Sequence, residues 1–600
     1  MKASLRDTVV AAVAASTAIF PSTALAQDPR PMENLGRGVV AVRSSEEDVL
    51  IGWRLLGLDP EDIGFNVYRS TGDGDPELLN PEVITNASNF VDSGADLSDS
   101  NTYYVSPVLG GEEQDASATF TLAADNEVEP AVRIPIRDNG PIKFVWVGDL
   151  DGDGEYDFVL DRTNTQQSIE AYTGNGTFLW EVGLGPNSEN QDNIEPGSAT
   201  ICVGHWDGVT VYDFDSDGKA EVAVRIANGV QFGDGETFEH DNDDEQFIAI
   251  LDGLTGGLRG TSQLPTDYID DGPLASRLAV GYLDGVTPHV VGWFKNRQPD
   301  DGDFNRLMGA WTFDGSEVSE QWIWYGDSSD AADGHNTRVL DVDGDGVDEV
   351  LEIGFALKGD GSILYELPIV HGDRYYIAKM DPEQEGLQGY GIQQDHPEAM
   401  MEYYYDAGNG TIIWEHFADQ VGDAARGMAG DIDPTRPGYE VWSFSGLYNA
   451  PSNELIEEDT ELQPWPHLSV WWDGDQLMEL FNDGKFEKWD WENPTDTSST
   501  PRLFDISDYG AANMNGVYPG FIGDILGDWR EEVIVMSGDY SELVIFTTDQ
   551  PTDIRLYTLA HNPAYRNDMT VKGYLQSHHV DYFLGHDMSM PPQPNIRYVE

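Results

Sequence analysis

Between residues 33 and about 125 the apolar positions come in short stretches broken by polar ones. Val49-Leu50-Ile51-Gly52-Trp53-Arg54 is one stretch, Gly64-Phe65-Asn66-Val67-Tyr68-Arg69 alternates with period two, and Asn101-Thr102-Tyr103-Tyr104-Val105 is a third. Turn formers fill the gaps at 70–75 and 96–101. Successive side chains of a strand point to opposite faces, so this pattern predicts half-buried strands. Strands at about ten-residue spacing predict a small β-sandwich of the fibronectin type III kind, over 27–130, with a scaffold role.

From about residue 140 the pattern becomes a repeat: a short apolar run, an acidic turn, then another apolar run. Phe144-Val145-Trp146-Val147 leads into Gly148-Asp149-Leu150-Asp151-Gly152-Asp153-Gly154. Thr210-Val211-Tyr212 leads into Asp213-Phe214-Asp215-Ser216-Asp217-Gly218, and Arg338-Val339-Leu340 into Asp341-Val342-Asp343-Gly344-Asp345-Gly346. Later parts of the unit echo as well: Tyr172-Thr173-Gly174-Asn175-Gly176-Thr177 ahead of Trp180, and Tyr405-Asp406-Ala407-Gly408-Asn409-Gly410-Thr411 ahead of Trp414. Weaker copies surround Asp284, Asp381, Asp431 and Asp524. Units of ~40–70 residues made only of short strands predict propeller blades. The expected fold is all-β, the sandwich followed by an eight-bladed β-propeller (seven blades as the lower count) over 131–600. A parallel β-helix is the alternative, but its repeats would be shorter and more regular.

Three acidic turns share one spacing. Asp149, Asp151, Asp153 and Asp157 form the first; Asp213, Asp215, Asp217 and Glu221 the second; Asp341, Asp343, Asp345 and Glu349 the third. Each has acids at relative positions 1, 3, 5 and 9 and glycine at 6. Alternate carboxylates curl around one hard cation and glycine permits the sharp turn, so several Ca2+ ions are expected. Strands rather than helices flank the turns, which excludes an EF-hand. Asp524 and Asp528 keep part of the pattern and are expected to ligate a further ion. Solvated acidic turns are the plainer alternative. Cys202 is the only cysteine, so no internal disulfide forms, and metal is expected to staple the blades instead.

The chain has 600 residues, 40% of them hydrophobic, enough for a large core. A net charge of -77 excludes nucleic acid and anionic membrane as partners. At seawater ionic strength the Debye length falls to about 3–4 Å, so such a surface can still meet an acidic polysaccharide, and the charge reads as adaptation to a saline habitat. Lys2 and Arg6, the apolar run Val9 to Phe20, and Ala24-Leu25-Ala26 predict a signal peptide over 1–26 and a secreted protein. That run is too short to span a bilayer. A monomer is expected.

Met32-Glu33-Asn34-Leu35-Gly36-Arg37-Gly38-Val39-Val40-Ala41-Val42, Trp53-Arg54-Leu55-Leu56-Gly57, Phe65-Asn66-Val67-Tyr68-Arg69 and His371-Gly372-Asp373 form a set of distinctive motifs. Arg426-Gly427-Met428-Ala429-Gly430-Asp431-Ile432-Asp433-Pro434 and Gly527-Asp528-Trp529-Arg530-Glu531-Glu532-Val533 extend it. Over nearly its whole mature length the chain thus resembles rhamnogalacturonan lyases of polysaccharide lyase family 11. The resemblance implies a fibronectin-like domain and an eight-bladed propeller with several calcium ions. It also implies eliminative cleavage between rhamnose and galacturonic acid in a central cleft. Where the family carries Asn-Gly-Thr-Lys, this chain reads Asn515-Gly516-Val517-Tyr518, without the lysine. Where the family has Tyr-Asn-Gln-Pro-Pro-His, it reads Tyr574-Leu575-Gln576-Ser577-His578-His579, and 183–203 differs too. Rhamnogalacturonan I is the expected substrate, with ulvan, another acidic rhamnose-containing polysaccharide, as the alternative.

β-Elimination needs a positive charge on the uronate carboxylate, a base for the C5 proton and an acid for the leaving oxygen. Arg426, set among small residues, is expected to clamp the carboxylate. Tyr574 matches the family's C-terminal tyrosine and is expected as base or acid, with His578 or His579 compensating as base for the absent lysine. His371, beside Asp373 and Arg374, and His335, beside Asn336, are expected where strands emerge, His371 in catalysis and His335 and Arg374 on substrate. Asn515, Gly516, Asn164 and Lys572 complete the expected sugar contacts. Two other classes compete: a glycoside hydrolase, which needs two carboxylates across the bond, and a non-catalytic carbohydrate-binding propeller.

Overall fold

The structure, a computed structural model, describes residues 28–189, 197–204, 208–298, 303–329, 332–394, 396–417, 426–458, 462–492, 499–572 and 574–599. The expected signal peptide lies outside them. Strands Val40–Arg43, Val49–Gly52 and Asn89–Asp92 form a three-stranded sheet. Gly64–Thr71 and Asn101–Leu109 pair at the centre of a five-stranded one. Ile51, Trp53, Phe65, Val67, Tyr103 and Val105 share one core, so the period-two positions point inward.

From residue 131 onward eight antiparallel sheets follow. Seven consist of four consecutive strands, with first strands β1 (Val145–Gly148), β2 (Val209–Tyr212), β3 (Ala275–Gly281), β4 (Arg338–Leu340), β5 (Arg374–Ala378), β6 (Met428–Gly430) and β7 (Leu468–Val470). The eighth starts at β8 (Phe521–Gly523), continues through Glu532–Ser537 and Glu542–Phe546, and is completed by Ala131–Pro135 from the beginning of the region. First strands of successive sheets lie against one another from β1 to β4 and from β5 to β7. The Val145 N–H donates to the Gly520 carbonyl at 3.1 Å, which brings the eighth sheet back to the first.

The first strands are buried along their length, whereas an outer strand such as Thr411–Phe417 alternates between faces. Inner strands are covered on both sides and so read as apolar runs; outer ones meet water on one side. Where first strands converge there is no room for a side chain: a Cβ on Gly148 would lie 2.6 Å from Val211.

The one α-helix among the described residues, α1 (Pro563–Met569), runs with residues 570–572 and 574–580 through the middle of the sheets. Asn562 caps it by accepting from the Tyr565 N–H, and Pro563 suits its first turn. Thr570 accepts from Thr210 on β2 (3.1 Å) and from the Val280 N–H on β3 (3.2 Å). The Asn567 side chain donates to the Val339 carbonyl on β4 (2.9 Å), and Ser577 to the Ser469 carbonyl on β7 (2.9 Å). Arg566 of α1 makes a bidentate pair with Glu33 at 2.8 and 2.6 Å, both buried, between the rings of Tyr156 and Tyr212. The two N-terminal sheets dock on the end that carries the acidic turns: buried Arg54 reaches Glu155 at 2.9 Å, and the Gly527 N–H donates to the Gly38 carbonyl at 2.8 Å. No helix among the described residues is long and apolar enough to cross a membrane.

Candidate active site and cation centres

Each acidic turn joins a first strand to the second strand of its sheet, so the turns gather at one end. Asp149, Asp151 and Asp157, Asp213, Asp215 and Glu221, and Asp341, Asp343 and Glu349 bring carboxylate oxygens within 4.8 Å of one another. Gly154, Gly218 and Gly346 adopt φ of 87°, 88° and 90°, and their N–H groups donate to the first aspartate at 2.8, 2.9 and 2.8 Å. Burial, reinforced by neighbouring carboxylates, pushes Asp149 up to about 6, Asp157 and Asp213 to about 7, Glu349 to about 8 and Glu221 to about 9. Oxygen-only clusters that resist ionising by themselves fit a hard divalent cation.

The position-five acids stand outside these clusters. Asp153, Asp217 and Asp345 each accept from the N–H two residues on, at 2.9, 3.0 and 2.8 Å. Asp524 and Asp528 do not gather into a cluster either. Asp524 accepts from Thr558 (2.7 Å) and the Leu559 N–H (2.6 Å), while Asp528 pairs with Arg530 at 2.8 Å.

A fourth cluster, Asp473, Asp475 and Glu479, was not legible as a cation turn because it lacks glycine at position six. Its cation comes from the chain: Lys488 Nζ lies 2.5, 2.7 and 2.8 Å from the three carboxylates. Burial pulls the ammonium down, but Glu479 and the two aspartates hold it above its ordinary range. Lys488→Ala is therefore expected to create one extra divalent-cation site per chain, counted by elemental analysis after equilibration with calcium. An unchanged count would refute that reading.

The opposite end is built by residues that lead into the first strands. His335 and Asn336 precede β4; His371 and Asp373 precede β5, whose first residue is Arg374; Arg426, His467 and Tyr518 precede β6, β7 and β8. They form two groups. In the first, the Nε2 atoms of His335 and His371 are 3.2 Å apart, Asp373 lies 3.3 and 3.5 Å from them, and Asp333 is 3.3 Å from His371 Nδ1. Buried Lys295 sits 3.0 Å from Asp333. Burial opposes charge on His371, but Asp333 and Asp373 hold it up at about 9. Burial, then Lys295 and His371, push His335 far down. His371 is therefore the cation and donates to neutral His335. His335, His371 and Asp373 are also close enough to share a metal ion. The half-buried Tyr574 ring lies 4.5 Å from His335, and Asn336 donates to the Tyr574 carbonyl at 3.2 Å. A cavity of about 740 Å³ opens beside this group, lined by Arg297, Arg306, Asp327, His335 and His371 among others.

In the second group Arg374 is fully buried, yet its partners are neutral: the His467 carbonyl and the Tyr518 hydroxyl, both at 3.0 Å. Arg426 stands 5.9 Å from the Tyr518 ring centre and has no carboxylate partner among the described residues. Asn515 and Tyr518 exchange backbone hydrogen bonds of 3.2 and 3.1 Å around Gly516, whose φ is 64°, and this tight turn presents Tyr518.

Other expected residues lie elsewhere. Lys572 is buried in the central segment, donating to the Met569 carbonyl at 2.7 Å over the Phe521 ring. His578 and His579 are fully enclosed near Phe521 and Tyr565, and near Tyr376 and Tyr439. Burial pushes both down, and both rings stay enclosed, away from the two groups at the open end. Asn164 holds the Asn139 carbonyl at 2.8 Å on the first sheet and joins neither group. Sequence reasoning missed the roles of His467, Asp333, Lys295 and Tyr518. The signal that finds most of them is position, just ahead of the apolar run that opens each repeat.

Residues 143–256 and 271–594 match the family described as rhamnogalacturonan lyase family 11, C-terminal domain. Residues 30–122 match the rhamnogalacturonan I lyases beta-sheet domain. The chain is 32% identical to rhamnogalacturonan endolyase YesW of Bacillus subtilis, covering 94% of this chain and 93% of that one. It is 31% identical to rhamnogalacturonan exolyase YesX of the same organism, covering 94% and 97%. The structure of Bacillus licheniformis rhamnogalacturonan lyase PL11 superposes with a TM-score of 0.84 at 31% identity, over 95% of this chain and all of that one. The ulvan alternative finds no support in these relatives.

Proposed function

Because the chain belongs to rhamnogalacturonan lyase family 11 and is a polysaccharide lyase, we propose that it is exported and cleaves rhamnose–galacturonate bonds by β-elimination, leaving an unsaturated uronate. The eight sheets are read as blades of one closed propeller over 131–600, and the two N-terminal sheets as a fibronectin-like module over 27–130. Ca2+ is the ion proposed for the three oxygen-rich turns, where it would brace the strand ends.

One observation carries the reading. In a chain with 109 acidic and 32 basic residues, Arg374 and Arg426 meet at one end without a carboxylate partner among the described residues. Uncompensated guanidinium groups amid such acidity are suited to a ligand that brings its own carboxylate. In this scheme Arg426 holds the uronate carboxylate, so the charge that develops when C5 loses its proton is met by a fixed cation. Tyr574, half-buried against His335, takes the proton. Histidine pair and aspartates orient that tyrosine and wall off the cavity.

The test is the ultraviolet absorbance of a C4=C5 uronate on rhamnogalacturonan I, with ulvan as a control. Wild type is expected to produce it on rhamnogalacturonan I. Arg426→Ala is expected to lose about 10²–10³ in kcat/KM. New reducing ends without absorbance would make the protein a hydrolase, and no product of any kind would leave a binding protein.

A further inference from the structure

We propose that Tyr518 is the general acid of the elimination, the group that protonates the departing glycosidic oxygen. The inference rests on the lyase reading and adds the residue that completes its proton balance.

A neutral phenol has one O–H and accepts through its oxygen lone pairs. Arg374 Nη2 donates to the Tyr518 oxygen at 3.0 Å, so the hydroxyl proton is directed away from the guanidinium. Arg374 and Arg426 stand 5.7 and 5.9 Å from the ring centre. Proton donation leaves negative charge on the phenol oxygen, and these two cations are already in place to receive it, in a site where water screens little. Among the described residues neither guanidinium pairs with a carboxylate. The neighbouring His467 ring, 4.6 Å away, offers no rival proton, because burial and then Arg374 and Arg426 push it down to about 3. The Gly516 turn holds the half-buried tyrosine at the same end as Tyr574 and His335.

The step balances. The C5–H bond breaks and its proton passes to the base. Its electron pair becomes the C4=C5 double bond, the C4–O4 bond breaks, and the Tyr518 proton moves to O4. The phenolate then regains a proton from water.

The experiment compares two substrates on one preparation of Tyr518→Phe. One is rhamnogalacturonan I; the other is a synthetic galacturonate carrying 4-nitrophenol at O4, a leaving group that departs without protonation. Expected are a loss of about 10²–10⁴ in kcat on the polysaccharide, a loss under tenfold on the nitrophenyl substrate, and an unchanged melting temperature. The ratio of the two losses does not depend on how much of the preparation is folded. Equal losses on both substrates would make Tyr518 structural or positioning, and no loss on the polysaccharide would remove it from the chemistry; either overturns the proposal. If wild type forms no unsaturated product, the lyase reading falls and takes this one with it.

Discussion

Stripped of divalent cations at pH 8, the protein is expected to melt on the order of 10 °C below its calcium-loaded form. That gap is expected to close as the pH falls toward 5. Each occupied site adds about 4 kcal/mol when free calcium is a thousandfold above its Kd. The pH dependence follows from the folded-state values of about 6 for Asp149, about 7 for Asp157 and Asp213, about 8 for Glu349 and about 9 for Glu221. Unfolded, these groups ionise near 4. Between those limits the metal-free fold binds more protons than the unfolded chain. Its stability is therefore greatest at low pH and is lost as pH rises through the folded values. The loaded protein behaves oppositely, because protons compete with the ion for the same oxygens. Melting curves at pH 5 and pH 8, with calcium or chelator, read both slopes. Superimposable curves at pH 8 would remove the metal from the account of stability.

Arg566→Met is expected to destabilise the fold by about 3–5 kcal/mol, because it leaves Glu33 charged and enclosed without a counter-ion. The pair is bidentate, both side chains are buried, and two tyrosine rings bracket the guanidinium. Arg566 lies on α1 in the middle of the sheets and Glu33 belongs to the segment that ties the N-terminal sheets to them, so the loss loosens both attachments. The double variant Glu33→Gln, Arg566→Met is expected to recover part of the loss, since no charge then stays buried. Apparent melting temperatures of the four proteins measure the coupling, and strictly additive losses would show that the pair is not what holds the helix.

The acidic turns were legible because everything they need is local. Nine residues supply the oxygens and the glycine, and the backbone closes the loop. The same spacing overstated Asp153, Asp217 and Asp345, since a carboxylate at position five can serve its own turn instead of an ion. It also could not reveal that Lys488, just past the strand Lys485–Glu487, occupies a fourth cluster. The end that gathers the histidines and arginines was less legible for the same physical reason. Arg374 and Tyr518 are 144 residues apart and meet only because the sheets surround a common centre. His578 and His579 drew attention as a rare histidine pair, but the segment that carries them fills that centre, where burial keeps both rings neutral.

The pairing of Ala131–Pro135 with Glu542–Phe546 has a consequence for biosynthesis. Arg133 and Glu542, whose side chains meet at 3.1 Å, are separated by 409 residues. On the ribosome the early strand must wait, unpaired, until Glu542–Phe546 has been translated. A product released before Phe546 cannot complete its last sheet and displays two raw strand edges, the form most exposed to proteases and to edge-to-edge association. Tyr518 precedes this last sheet, whereas α1 and Tyr574 follow it. A polypeptide released before Phe546 therefore lacks α1 and Tyr574 and cannot bring Tyr518 and Tyr574 to one end.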